Sequence, residues 1–357
     1  MKITDYTLHR LLLPLREPIG DSQVRFEDHW MTVLELHTDI GHTGVGFALQ
    51  QGMPTSCLSD QIEQFEFGTW PGLKDRHPLG IAQRISRPRG GNVGVSFFAL
   101  PVETALWDLV GKQQQLTLAQ VFGGEKAKVP AYGSTLDFPL DDETFRKKLE
   151  QFYDMGFRAV KTKVGHQDIK WDLKRLQIVK DVMLYDVTLM VDANEAWSVK
   201  ETLIRVNRYQ DAGHPLFWLE DPITREDYDG YRTLCAELET TRINTGEYLS
   251  FHGKRRLLEH QGVDVLNVHG SFGVSRAAAV LAADYGVPLS LGNTILEVGV
   301  HIAASLPECH FLEFSDLRWN ELAVKPVQVA EGYAHVPDQP GHGLELDRDK
   351  LKFYARP

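Results

Sequence analysis

Cysteine is scarce. The 357 residues hold only Cys57, Cys235 and Cys309, far apart and without a CxxC pair. That argues against both a disulfide framework and a cysteine-built zinc site. No apolar run reaches the roughly 18 residues that a membrane helix needs, and the opening MKITDYTLHR has no signal-peptide core. Positive charge is also in deficit: 38 Lys and Arg stand against 49 Asp and Glu, a net charge of −11. Neither a nucleic acid nor an anionic membrane is therefore an expected partner. Low-complexity segments are missing too. What remains, with 43% hydrophobic and 24% charged residues, has the composition of an ordinary folded protein of the reducing cytoplasm.

Two textures follow each other along the chain. The first 50 residues alternate as strands, KITDYTLHRLLLPL and WMTVLELHTDIGHTGVGFALQ, joined by a polar loop, with DIGHTG as a hairpin turn. Helical spacing then dominates FFALPVETALWDLVGKQQQ, so this part reads as an α+β unit. From Val129 onward short β-branched runs recur: VPAYGS, FRAVKTKV, VTLMVDA, PLFWLED, TRINTGE, VDVLNVH, VPLSLGN and HFLEFSD. Helical patterns separate most of them. Eight such strands predict a closed parallel (β/α) barrel of TIM type. An open doubly wound sheet is disfavoured, because no glycine-rich phosphate turn follows the first strand. The tail from about Val324 loses the alternation and is expected to return to the N-terminal unit.

Three acids occupy equivalent places in this period. Asp192 ends LMVDAN, Glu220 stands in FWLEDP, and Glu247 in INTGEY, 28 and 27 residues apart, one βα unit each. In a barrel they would converge from three adjacent strand ends. Hard oxygen donors in that number suit a divalent cation such as Mg²⁺. One acid after a strand could equally be a helix N-cap; three in phase are harder to explain that way. Just before them, RAVKTKVG places Lys161 and Lys163 in an otherwise apolar strand. Residues i and i+2 share a face, so both amines can meet the acids. A lysine beside a cation and a second ammonium is expected to have a lowered pKa, and so to serve as a general base. At an edge strand the same pair would only be a solvated face.

Lys161-Thr-Lys163, Asp192-Ala-Asn194, Trp218-Leu-Glu220-Asp-Pro and Gly246-Glu247 together resemble the enolase superfamily, in its mandelate racemase-like branch. ALWDLVGK with Phe122-Gly-Gly124, LEFSD and VPDQPGHGLELD extend the resemblance over nearly the whole chain. It implies an α+β capping domain over residues 1–125, completed by 324–357, and a modified barrel over 126–323. It also implies one Mg²⁺ held by Asp192, Glu220 and Glu247, and removal of a proton α to a carboxylate by Lys163. Lys161 would hold the substrate carboxylate or tune Lys163, Asn194 would support the metal shell or touch substrate, and Glu313 would hydrogen-bond the carboxylate. A small carboxylate substrate and a homo-oligomer are further expectations.

The chain departs from the branch in one respect. An Asp–His dyad on the sixth and seventh strands is missing: His269 stands at the first place and Asn293 at the second. His301 reads as structural. A lone lysine base favours dehydration of a sugar acid, with His269 or a metal-bound water protonating the leaving hydroxide. With His269 also competent, racemisation or epimerisation becomes possible, and sugar-lactone cycloisomerisation is a third option. A non-catalytic binding or regulatory homologue is the remaining alternative, although a mere binder has no need of paired lysines. Specificity is expected from polar cap loops, Arg16, Asp21, Ser22, Gln23 and Arg25, with Gln50 and Gln51, which would suit a polyhydroxylated or diacid substrate.

Overall fold

Alternation in the first 51 residues becomes a three-stranded antiparallel sheet: β1 (Ile3–Gly20), β2 (Arg25–Thr38) and β3 (Thr43–Gln51). The computed structural model describes residues 1–51, 62–86, 98–184, 186–292 and 295–356, with the side chains of Gln50 and Gln51 outside that description. The polar connection expected between β1 and β2 is shorter than anticipated. The ladder continues to Gly20 and restarts at Arg25, with a break in register between Pro14 and Ile19. Prolines supply no N–H for a continuous ladder, so Pro14 and Pro18 mark where it must shift.

Helix Ala99–Gln114 packs directly on β3. Gly44 and Gly46 face it from alternate positions of the strand. A Cβ at either would run into the carbonyl of Ala105 or Pro101. Glycine is therefore needed for this close approach.

The second half forms the barrel. Its strands are β4 (Lys128–Ser134), β5 (Ala159–Lys163), β6 (Thr188–Asp192), β7 (Trp218–Glu220), β8 (Arg242–Thr245), β9 (Val265–Val268), β10 (Leu289–Leu291) and β11 (Cys309–Phe314). All neighbours run parallel, and β11 closes on β4. A helix follows each of the first seven strands; the element directly after β11 is the short 3₁₀ turn Trp319–Leu322. Six of those helices begin with an Asp or Ser whose side chain accepts a backbone N–H: Asp141, Asp168, Ser198, Asp227, Ser250 and Ser271. These caps fix where each strand-end loop stops. No described helix is long and apolar enough to cross a membrane.

After the barrel, β12 (Val329–Ala330) and β13 (Tyr333–His335) form a hairpin that pairs antiparallel with the start of β4. The chain then returns to the N-terminal sheet, which Arg318 and Glu321 already touch at Pro14 and Arg16. Helix Arg348–Tyr354 lies against β1, and Arg348 grips Glu35 on β2 through two bonds of 2.6 and 2.7 Å. His9 adds a third contact at 2.7 Å. Burial pushes the Glu35 carboxyl up, but the bonds from His9 and Arg348 outweigh it and hold it at about 2.

A carboxyl held so far below its ordinary value stabilises the fold above about pH 4.5, and this contribution fades as pH falls toward 2. The displacement corresponds to roughly 3 kcal/mol, discounted to about 2 because Arg348 is more than half exposed. Glu35→Gln is expected to lose about that much in urea unfolding near neutral pH, with the gap to the parent narrowing below about pH 4. A gap constant down to about pH 2.5 would refute the assignment.

Candidate active site

Inside the barrel, each of four strands switches from apolar to charged two residues further on: Ala159 to Lys161, Met190 to Asp192, Trp218 to Glu220, and Phe311 to Glu313. Alternation puts each pair on the same face. The lower members meet with Tyr132 in an aromatic plug, with Trp218 edge-on to Tyr132 at 5.3 Å and to Phe311 at 5.8 Å. The upper members form a charged layer at the carboxyl ends of the strands.

In that layer the two lysines take different partners. Lys161 Nζ lies 2.7 Å from Glu220 Oε1, 3.1 Å from Glu313 Oε1 and 3.7 Å from Asp192 Oδ2. Lys163 Nζ lies 2.7 Å from Asp192 Oδ2 and 2.9 Å from Asn194 Oδ1. The Asn194 backbone N–H returns a bond to Asp192 Oδ1 at 2.9 Å, and Asn194 holds a positive φ of 47° to do so. Asn267 on β9 donates to Glu220 Oε1 at 3.2 Å. Beneath the site Asp137 accepts the Lys163 backbone N–H at 3.0 Å and the Thr162 hydroxyl at 2.9 Å, pinning the end of β5. Thr135 also donates to it.

Burial dominates the electrostatics. It disfavours the Lys161 ammonium, yet Glu220 and Glu313 overcome it and hold that amine above the ordinary range. For Lys163, burial again lowers and Asp192 raises, with Lys161 pulling down; the net is upward. The lowered lysine expected from sequence is that of a site with a cation beside it; with the protein groups alone, Asp192 outweighs burial and Lys161. Asp192 itself is held down against burial by both lysines. Burial pushes Asp221 up to about 7, with Asp192 adding to it.

Among the described residues, Glu220, Asp221 and Glu247 form a carboxylate group, each offering an oxygen within 4.8 Å of the others. Asp221 was not anticipated, although it follows Glu220 directly. Its backbone turns into positive φ, 38°, and its Oδ1 accepts the Thr245 hydroxyl at 2.5 Å. Asp192 adjoins the group as the register partner of Glu220. None of the three sequence-selected acids is a helix cap. Ser198, Asp227 and Ser250 fill those places after β6, β7 and β8. Lys254, also unanticipated, is buried behind the Glu247 loop, donates to the carbonyls of Gly246 and Leu249, and is pushed down to about 8 by burial.

The β1–β2 turn covers this layer. Gly20 bonds to the Leu136 carbonyl, Asp21 accepts the backbone N–H groups of Gln23 and Val24, and the Gln23 amide donates to the Asn194 carbonyl. A cavity of about 220 Å³ beneath it is lined by Asp21, Lys161, Lys163, Asp192, Asn194 and Glu247, among others. A second cavity, of about 170 Å³, contains His269. Arg25 is not brought in: it starts β2 and pairs with Glu27, two residues along the same face, at 3.2 Å. Arg16 is likewise spent on Glu321 at 3.0 Å. Asn293 lies outside the described residues. His301 is buried away from the site, bonded to the His342 carbonyl at 3.0 Å and pushed down to about 4 chiefly by burial.

Comparison with known proteins agrees with this architecture. Residues 144–350 match the family described as enolase C-terminal domain-like. The chain is 33% identical over 355 residues to 3,6-anhydro-alpha-L-galactonate cycloisomerase of Streptomyces coelicolor, covering 96% of each. It is 29% identical over 363 residues to L-talarate/galactarate dehydratase of Salmonella typhimurium, covering 96% of this chain and 88% of that one. Among solved structures, a Mesorhizobium loti protein provisionally described as a mandelate racemase superposes with a TM-score of 0.94 at 39% identity, covering 100% of this chain and 95% of that one. L-talarate dehydratase of Polaromonas, solved with Mg and L-glucarate, superposes at 0.85 with 27% identity, covering 100% and 98%. A closed parallel barrel with a lysine pair facing in-phase carboxylates, the matched family and full-length relatives lead to one assignment: this chain is a member of the enolase superfamily, of the mandelate racemase-like kind.

Proposed function

We propose that this protein removes the proton α to a carboxylate in a Mg²⁺-dependent reaction, and that the net outcome is dehydration of a 2,3-dihydroxy acid to a 2-keto-3-deoxy acid. The observation that carries the reading is the pair of buried lysines aimed into one cavity against Asp192, Glu220 and Glu313. The dehydratases and cycloisomerases among the relatives support the same class of chemistry.

The donor set fits a divalent cation. It is all hard oxygen, Glu220, Asp221 and Glu247 lie within 4.8 Å of one another, and Glu220 Oε2 is buried without a hydrogen-bond partner among the described residues. Asp192, Glu220 and Glu247 would hold the ion, with Asp221 beside them. Such an ion supplies charge that neutralises the carboxylates now holding protons on the lysines, and it stabilises a substrate carboxylate that gains charge.

The chain's own groups divide the remaining work. Lys161, kept protonated by Glu220 and Glu313, binds a carboxylate oxygen and keeps Lys163 from holding its proton too firmly. Neutral Lys163 takes the C2 proton at Nζ, and Asn194 orients that amine. The C2–H electron pair becomes the C2–C3 double bond as the C3–O bond breaks. His269 in its charged form gives the departing oxygen a proton, so that it leaves as water, and the enol tautomerises to the ketone. The Asp21–Val24 turn excludes solvent.

Incubating the protein with Mg²⁺ and a panel of 2,3-dihydroxy acids in deuterated solvent tests this directly. Keto-acid formation is expected for some member; absence of both keto acid and α-deuteration across the panel would reject the reading. His269→Asn is expected to stop elimination but leave α-deuteration. If it instead stops deuteration of one enantiomer only, His269 is a second base and the reaction is a 1,1-proton transfer. Glu220→Gln, which changes a direct ligand, is expected to weaken Mg²⁺ by at least the roughly 10–100-fold that loss of an outer-shell partner costs, read by calorimetry. An unchanged affinity would remove Glu220 from the ligand set.

A further inference from the structure

The 170 Å³ cavity has a different character from the charged one. Most of its described wall is carbon: Phe47 and Leu49 from β3, Leu100 at the start of helix Ala99–Gln114, Ile295 and Val298 around the helix after β10, and Leu317 and Trp319 after β11. Phe47, Val298 and Trp319 are each under 10% exposed, so these are fixed walls. The two cavities meet. Glu313 and Ser315 line both, and His269 and Thr104 add polar groups to the apolar one. Among the described residues, no lysine or arginine lines the apolar chamber, and neither Arg16 nor Arg25 lines the charged one.

We propose that the apolar cavity is the seat of the substrate's distal end. The acid taken by this protein would carry its carboxylate and hydroxyls at C1–C3 in the charged chamber, and a compact apolar group beyond C3, aliphatic or aromatic. This inference rests on the α-proton chemistry proposed above and narrows its substrate. It departs from the polyhydroxylated or diacid substrate that the cap-loop arginines suggested in the sequence. A cavity of about 150 Å³ walled by Leu, Ile and Phe accommodates benzene. The chamber here, about 170 Å³, therefore suits a phenyl or short branched alkyl group. Hydroxyls of a sugar chain placed against these walls would lose water without recovering equivalent bonds.

The test compares three acids that share C1–C3: glycerate, which has no distal group, gluconate, with a polyol chain, and the stereoisomers of 2,3-dihydroxy-3-phenylpropanoate. Affinity is read by calorimetry with Mg²⁺ present, and α-deuteration by NMR on the same samples. The best phenyl isomer is expected to bind at least about 10-fold more tightly than gluconate. Leu100→Trp, which fills the chamber, is expected to remove that advantage while glycerate binds unchanged; Leu100→Asp is expected to reverse it. Gluconate binding as well as or better than the phenyl acid, or a preference unmoved by either variant, overturns the proposal. The two readings fail separately. The expected preference without any α-deuteration would leave the chamber assigned and reject the chemistry; deuteration of gluconate but of no phenyl isomer would do the reverse.

Discussion

Lys163→Ala is expected to lower turnover on any confirmed substrate by at least about 10³-fold, the upper part of the range for losing a positioned general base. The size follows from the lack of a substitute. Lys161 is 3.1 Å or less from Glu220 and Glu313 and is held protonated by them. A charged amine accepts no proton, so it cannot take over. Other buried bases face elsewhere: Lys254 is occupied by the carbonyls of Gly246 and Leu249. Metal affinity should persist or rise in this variant, because an ammonium 2.7 Å from Asp192 is removed. Unfolding in Mg²⁺ should change little. Lys161→Ala is expected to raise KM as well, through lost binding of the carboxylate, so the two lysines separate by their kinetic signatures. Retention of activity within about tenfold in Lys163→Ala would move the base elsewhere.

How much of this was legible beforehand depended on whether a residue's partner shared its period. Asp192, Glu220, Glu247 and the two lysines could be placed because strand alternation and a repeat of one βα unit are properties of spacing. The charged layer could therefore be drawn before any coordinates. Asp137 could not: its partners are Thr162 and the Lys163 N–H, and nothing in its own surroundings in the sequence announces that pairing. Asp221 was visible as the neighbour of Glu220, but strand alternation assigns adjacent residues to opposite faces. Only the positive φ at 221 lets both carboxylates join one group. The cap arginines misled for a related reason. Residue type suggested anion binding, whereas Arg25 is satisfied two residues away by Glu27, and Arg16 by Glu321, 305 positions downstream. The apolar chamber is assembled from five separate parts of the chain and has no local signature at all.

ALWDLVGK, one of the segments that carried the family resemblance, has a physical reason to exist, and it predicts the largest loss of stability. Asp108 within it is fully buried and gathers three parts of the chain. Its Oδ2 accepts the Val45 N–H of β3 at 2.9 Å and the Lys112 ammonium at 2.6 Å; its Oδ1 accepts the His342 N–H of the C-terminal return at 3.1 Å. Lys112 donates onward to the Thr43 carbonyl at 2.7 Å, and His342 bridges to the Val45 carbonyl at 2.9 Å. Gly341 has a positive φ of 76°, and a side chain there would strike the Asp108 carboxylate. Asp108→Ala removes one acceptor group and strands two backbone N–H groups and an ammonium that is only 24% exposed. Breaking a buried pair in this way costs about 3–5 kcal/mol, more than any exposed ion pair of this chain could. Asp108→Asn, which keeps one acceptor oxygen, should fall about midway. Urea unfolding of the three proteins checks the order. A loss under about 1.5 kcal/mol for Asp108→Ala would mean that the C-terminal return is held by its apolar contacts, Leu344, Leu346 and Leu351, rather than by this carboxylate.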